Sequence, residues 1–169
     1  KRGHRFARYA DDLIILVKSE RAAHRVIASI SRFLERKLKV KVNRDKSKVV
    51  RVQDSSFLAF TFKRMKLTVT EKAINGFKTR LRRLTGRSWG VSMQYRYTSV
   101  RLYIHGWMNY FGVGMKYNDA VEFDHWLRRR IRMCYWKQWR RARRRIGELI
   151  QLGSPRYQAI LSGLSRKGY

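Results

Sequence analysis

The chain opens on two short runs of aromatic and aliphatic residues, Arg5–Tyr9 and Leu13–Val17, parted by Ala10-Asp11-Asp12. Both runs read as strands and the three residues between them as a tight turn, since Asp tolerates turn geometry. Ser19 is placed to cap a helix, with Glu20 in its first turn. From there Ala22, Ala23, Val26, Ile27, Ile30, Phe33, Leu34 and Leu38 recur at steps of three and four, one apolar stripe on a helix of about five turns. Val40 and Val42 alternate with lysines as a short strand, and Asn43–Asp45 makes a turn. Val49–Val52, Phe57–Phe62 and Leu67–Val69 read as three more strands. The order predicts an α+β unit, an antiparallel sheet with a helix packed on one face.

After Thr70 the pattern becomes all-helical, so a boundary falls near residue 70. Thr70 caps a helix carrying Ala73, Ile74, Phe77, Leu81 and Leu84, with a stop at Gly86. A loop with Gly86, Ser88 and Gly90 follows. A second helix carries Val100, Tyr103, Ile104, Trp107, Tyr110 and Phe111, read as core, and Gly112 and Gly114 break it. A third, long helix is expected from about 118 to 146, with Ala120, Phe123, Leu127, Ile131 and Cys134 inward. Gly153-Ser154-Pro155 ends it, and a short amphipathic turn with Tyr157, Ile160 and Leu161 comes last.

Charge changes this picture more than composition does. The 169 residues include 41 Lys or Arg against 11 Asp or Glu, a net charge of +30, while 44% of residues are hydrophobic and 13% aromatic. That much apolar content excludes a purely disordered basic tail. No apolar run exceeds the five residues Leu13–Val17, which excludes a transmembrane helix and a signal-peptide core. The single cysteine, Cys134, excludes an internal disulfide framework, and a cytosolic setting fits. A compact body of +30 repels itself unless a polyanion sits against it, and nucleic acid is the best such partner. The four histidines, His4, His24, His105 and His125, have no ligand spacing.

Two features carry candidate chemistry. Asp11 and Asp12 are adjacent carboxylates at a bend in a chain poor in acids, and a divalent cation relieves their repulsion. Hard oxygen ligands select Mg2+, which keeps waters and bridges to phosphate. Alone, such a pair is an ordinary polar turn. The second feature is the stretch from His125 to Gly147, which has no acid but contains Arg128, Arg129, Arg130, Arg132, Lys137, Arg140, Arg141, Arg143, Arg144 and Arg145. Like charges four apart destabilise a free helix, and phosphate offsets that. Trp126, Trp136 and Trp139 are interleaved there, and one or two of them are expected in the core. Arg80, Arg82, Arg83 and Arg87 extend the basic surface. From this set, Arg80, Arg82, Arg83, Arg87, Arg128, Arg129, Arg132, Lys137, Arg140, Arg141 and Arg144 read as RNA contacts.

Tyr9-Ala10-Asp11-Asp12 resembles the metal-binding hairpin of the reverse transcriptase palm. The likeness continues in order through Leu38 to Lys48 and through Phe57-Leu58-Ala59-Phe60. The last is similar to a primer-gripping hairpin, with Ala59 where the family has glycine. Gly106-Trp107-Met108-Asn109-Tyr110-Phe111, Asp124 and the arginine stretch resemble the thumb, or maturase domain X, of group II intron-encoded proteins. Leu152-Gly153 and Ser165-Arg166-Lys167-Gly168-Tyr169 resemble later family positions.

The resemblance implies the C-terminal part of a palm over 1–70, a three-helix thumb/maturase domain over 71–155 and the start of a DNA-binding segment over 156–169. It implies a magnesium-dependent RNA-directed DNA polymerase and splicing maturase, with Asp11 and Asp12 on the metal and Lys46 assisting pyrophosphate departure. Leu58, Ala59 and Phe60 would then hold the primer end. Intron RNA, a template–primer duplex and deoxynucleoside triphosphates follow as partners, with no membrane. In this reading the chain is a piece of a longer protein, inactive as a polymerase by itself, and its exposed sheet can pair with a second copy. The alternatives are a non-catalytic RNA-binding splicing cofactor and a DNA-binding architectural protein.

Overall fold

The computed structural model describes residues 3–64 and 66–165. The fold is α+β, and the chain divides into two compact units, Lys1–Thr68 and Val69–Tyr169.

In the first unit, β1 (Arg5–Tyr9) and β2 (Asp12–Leu16) pair antiparallel with Tyr9 opposite Asp12. Only Ala10 and Asp11 are left for the turn. Ala10 takes the left-handed conformation, φ 50°, and its carbonyl accepts from Arg8 Nε at 3.0 Å. Helix α1 (Glu20–Arg36) starts where its cap demands, with Ser19 Oγ accepting from the Ala22 amide. Its apolar stripe is only half-buried, and no residue of α1 is fully buried.

The two strands expected over Val40–Val42 and Val49–Val52 do not form. The Val40 amide donates to Leu34 O at the end of α1, and Lys39 turns the chain through φ 55°. Val52 opens a 3-10 turn, Val52–Asp54, closed by Asp54 N on Arg51 O. The Val40 amide is thus spent on α1, and the carbonyls of Arg51 and Val52 are spent on the local turn rather than on a ladder. Between the two segments, Asn43 Oδ1 accepts from the amides of Asp45 and Lys46, which makes the expected turn.

The run Phe57–Phe62 is not one strand. It folds back at Leu58 and Ala59 (φ 52° and 64°) into β3 (Ser56–Phe57) and β4 (Phe60–Lys63). Two successive residues at positive φ match the twist of a two-residue hairpin turn. β5 (Lys66–Val69) completes a three-stranded sheet in the order β3-β4-β5. The β1-β2 hairpin is a separate sheet, so the single sheet expected from sequence is two.

Among the described residues the second unit has five α-helices, where three helices and a short amphipathic turn were expected. They are α2 (Glu71–Leu84), α3 (Met93–Phe111), α4 (Tyr117–Gln138), α5 (Ala142–Gln151) and α6 (Arg156–Leu164). Thr70 and Ser92 cap α2 and α3 through their hydroxyls. Phe77, Leu81, Leu84, Val100, Trp107, Cys134, Trp139 and Ala159 are buried. Phe77 is the hub of an aromatic cluster, 4.3 Å from Trp107 and 5.5 Å from Phe123 between centroids, with Phe111 stacked on Trp107 at 4.6 Å. Tyr110, expected in this core, is 49% exposed.

The long helix over 118–146 breaks at Trp139–Arg141 without a glycine or proline. Trp139 leaves helical geometry (ψ 73°), is buried, and stacks on Tyr135 at 4.4 Å. The carbonyls freed by the break are taken by Arg145, whose Nε donates to Trp139 O (2.8 Å) and whose Nη2 donates to Arg140 O (3.2 Å). After the break α6 packs against α5. Gly163 is where they meet most closely: a Cβ there would lie 2.5 Å from Ile146 Cγ1.

Candidate nucleic-acid interface

Arginines do two different jobs in the second unit. Three turn inward. Arg96, only 3% exposed, donates from Nη1 to Leu84 O and Gly86 O (both 3.0 Å) and from Nη2 to Trp89 O (2.9 Å). Its guanidinium also lies 5.2 Å from the Trp89 ring centre. The last carbonyls of α2 and the loop after it therefore close on one cation, which suits the negative end of a helix. Arg130, half-buried, reaches the same end from α4. Its Nε donates to Thr85 Oγ1 at 2.6 Å, and its Nη2 donates to Arg82 O at 3.2 Å. Thr85 is fully buried and passes its own hydroxyl proton to Leu81 O. The Cys134 thiol sits 3.3 Å from Thr85 O. Burial pushes that thiol's pKa up and the Arg130 guanidinium's down. Arg145 is the third, bracing the α4–α5 break with its guanidinium over Trp136 at 5.4 Å.

Among the described residues most other basic side chains of this unit face out, Lys78 being half-buried with its Nζ 5.2 Å from the Phe123 ring centre. Arg80, Arg82, Arg83, Arg87, Arg128, Arg129, Arg132, Lys137, Arg140, Arg141 and Arg144 are all exposed. Few are tied up. Arg128 pairs with Asp124 (2.7 Å) and Arg144 with Glu148 (3.3 Å), both exposed pairs four residues apart. Arg82 and Arg130 flank Trp126, at 5.7 and 5.5 Å from its centre. Of the three interleaved tryptophans only Trp139 is buried; Trp126 and Trp136 are half-buried. Asn109, on an exposed face of α3, donates to His105 Nδ1 at 3.3 Å.

Arg96 is the functional cation that sequence reading passed over. The signal was present: it lies four residues before Val100 and in step with Tyr103 and Trp107, on the apolar stripe of α3. Arg130 likewise lies four before Cys134.

In the first unit, Asp11 and Asp12 are exposed at the β1-β2 turn. Lys46 is exposed just after the Asn43-anchored turn, and Leu58, Ala59 and Phe60 form the separate β3-β4 turn. The candidate catalytic residues thus stand on three separate pieces of this unit. Among the described residues no three His, Cys, Asp or Glu side chains converge on a metal position. Arg166–Tyr169, the end of the last resembling motif, lie outside the described residues. Among the described residues no helix is long and apolar enough to cross a membrane.

A helical unit with arginines braced inside and arginines arrayed outside is a basic domain complementary to a polyanion. Residues 74–150, from within α2 to within α5, match the family described as group II intron, maturase-specific domain. The chain is therefore similar to group II intron maturase-specific domains over that stretch, a little under half of its length. A comparison with curated proteins finds no match.

Proposed function

We propose that the chain assists splicing of a group II intron by gripping intron RNA on the exposed arginines of its second unit. One observation carries this reading. The cations that hold the domain together are few and inward, and of the outward set Arg128 and Arg144 pair with carboxylates, so the outward set concentrates a largely uncompensated field. Guanidinium matches phosphate bidentately, and half-exposed Trp126 adds a face on which an unpaired base can stack. The test is binding of the intron RNA across a salt series. Engagement of about 6–10 phosphates lowers affinity roughly 10³–10⁵-fold between about 50 and 200 mM salt. Addition of the protein should also raise the yield of spliced product. Equal affinity for duplex DNA and structured RNA would sink the reading in favour of an architectural DNA binder.

A second reading, RNA-templated DNA synthesis, is favoured by the β1-β2 turn, which leaves two adjacent exposed carboxylates at one tip. Their donor set fits magnesium that shares its remaining positions between water and substrate phosphates. Asp11 and Asp12 would hold the ion, which when bound supplies Lewis-acid activation of a primer hydroxyl. Lys46 would clamp or protonate the departing pyrophosphate of a deoxynucleoside triphosphate, and Leu58, Ala59 and Phe60 would seat the primer end. In a protein competent for primer extension, Asp11→Ala should abolish magnesium-dependent incorporation and leave RNA affinity nearly unchanged. Loss of both together would make the hairpin structural.

A further inference from the structure

The break between α4 and α5 forms an open cleft of about 460 Å³ lined by Gln138, Arg140, Arg141, Arg143 and Arg144. We propose that this cleft is a phosphate cradle that takes successive phosphodiesters of a single RNA strand. The proposal rests on the RNA-binding reading above and narrows it to one place.

The lining is four arginines and one amide; Glu148 pairs with Arg144 at 3.3 Å, and Arg140, Arg141 and Arg143 carry the rest of the positive charge. An elbow would ordinarily present backbone carbonyls that repel an anion. Here Arg145 takes the carbonyls of Trp139 and Arg140, so the brace that fixes the elbow also occupies two of its repulsive groups. The first turn of α5 opens at the same place, and its positive partial charge offsets the negative end of α4 at Gln138, so the guanidinium groups set the field. A phosphodiester carries one negative charge, so four guanidinium groups sharing one cleft match a run of phosphates better than a single one. Planar guanidinium forks also distinguish this from a diffuse charge effect, because they bind phosphate with geometry as well as charge.

The experiment uses the full chain, a short single-stranded oligoribonucleotide and inorganic phosphate as probes. Affinity is measured against salt for Arg141→Ala/Arg143→Ala and for Arg129→Ala/Arg132→Ala, a pair that removes the same charge from exposed positions of α4. The elbow pair should lower the slope of log K against log salt by about 1.4, two single-strand contacts at ~0.7 each, and the α4 pair by clearly less. Arg141→Lys/Arg143→Lys should still lose affinity several-fold with charge retained. An unchanged near-ultraviolet signal from Trp136 and Trp139 checks that the elbow is intact. Equal losses from the two alanine pairs, or no loss from the lysine pair, overturn the cradle and leave RNA binding standing. If neither alanine pair matters, the arginine-surface reading falls and the cradle with it. Saturation by inorganic phosphate with no preference for the oligonucleotide would mean a free-anion site and would also overturn the proposal.

Discussion

The two units contain helices of similarly amphipathic sequence and treat them differently. In the second, α2 buries Phe77, Leu81 and Leu84, and α3 and α4 close over them. In the first, α1 has a longer and cleaner stripe, yet no residue of it is fully buried and Phe33 is 55% exposed. All of β1 is exposed, with Phe6 at 71% and Tyr9 at 64%. A stripe specifies which face would be covered; covering it takes facing elements of matching shape. The second unit has them, and it adds polar ties that α1 lacks: buried cations that close the end of a helix. Stability in the second unit is thus as much a matter of satisfied carbonyls as of apolar area.

That contrast is tested most severely at Arg96. Arg96→Leu keeps bulk and removes every donor facing Leu84 O, Gly86 O and Trp89 O. Stranding several buried acceptors costs about 3 kcal/mol, since each is worth about 1–3 and the loop can relax in part. Urea unfolding followed by tryptophan fluorescence should show a lower midpoint. Arg96→Lys, which keeps the charge but not the fork, should fall between. A midpoint unchanged by Arg96→Leu would mean that apolar packing alone holds the unit.

The next test sets neighbours against each other. Arg130→Met should cost about 2 kcal/mol, losing the bonds to Thr85 Oγ1 and Arg82 O. Arg129→Met, one position away and exposed, should stay within about 0.5 kcal/mol. RNA affinity should respond more to Arg129→Met than to Arg130→Met when both are compared at temperatures where each is folded. The reverse pattern in either assay would erase the division into bracing and exposed arginines.

Much of this was legible in residues taken singly. The capping hydroxyls of Ser19 and Thr70 act where the sequence puts them, because a cap needs only its own first turn. The valines at 40, 42 and 49–52 looked like strands because β-branched residues suit a pleated surface. A strand, however, is completed by a partner, and here the Val40 amide went to α1 while the Arg51 and Val52 carbonyls went to a local turn. The break at Trp139 was illegible for a related reason: nothing in Gln138-Trp139-Arg140-Arg141 breaks a helix by itself, and the compensating donor, Arg145, is four residues past the last of them. The candidate interface was legible by residue type. The assignment of each arginine to inside or outside was legible only by helical phase, which places Arg96 and Arg130 on apolar stripes among residues otherwise counted as charge.

A smaller effect is expected at Gly163. A methyl there meets Ile146 Cγ1 at 2.5 Å and Ile146 N at 3.3 Å, so Gly163→Ala should destabilise the α5–α6 pair by about 1–2 kcal/mol. The side-chain clash can ease by rotation of Ile146 and the backbone one cannot. In a thermal melt Gly163→Ala should therefore cost less in an Ile146→Ala background, which lacks Cγ1, than in the unaltered protein. No cost at all in that background would show that only the side chain matters there.

The least effect, and the one that returns to the sparsely packed first unit, is expected at Ala59. Its φ of 64° places an L residue in the left-handed region, next to Leu58 at φ 52°. A Cβ in that region costs roughly 1–2 kcal/mol, while glycine's extra freedom in the unfolded chain takes back about 0.5–1. Ala59→Gly should then stabilise the β3-β4 hairpin by about 0.5–1 kcal/mol, read as slower amide exchange at Phe57 and Phe60, which face each other across the turn. Ala59→Val should do the opposite, because β-branching is worse still at positive φ. The direction discriminates between two accounts of the first unit. If its modest burial reflects strain at its turns, relieving Ala59 tightens the hairpin measurably. If it reflects missing cover alone, exchange at Phe57 and Phe60 will not move, and the turn is simply the shape that a two-residue connection between these strands must take.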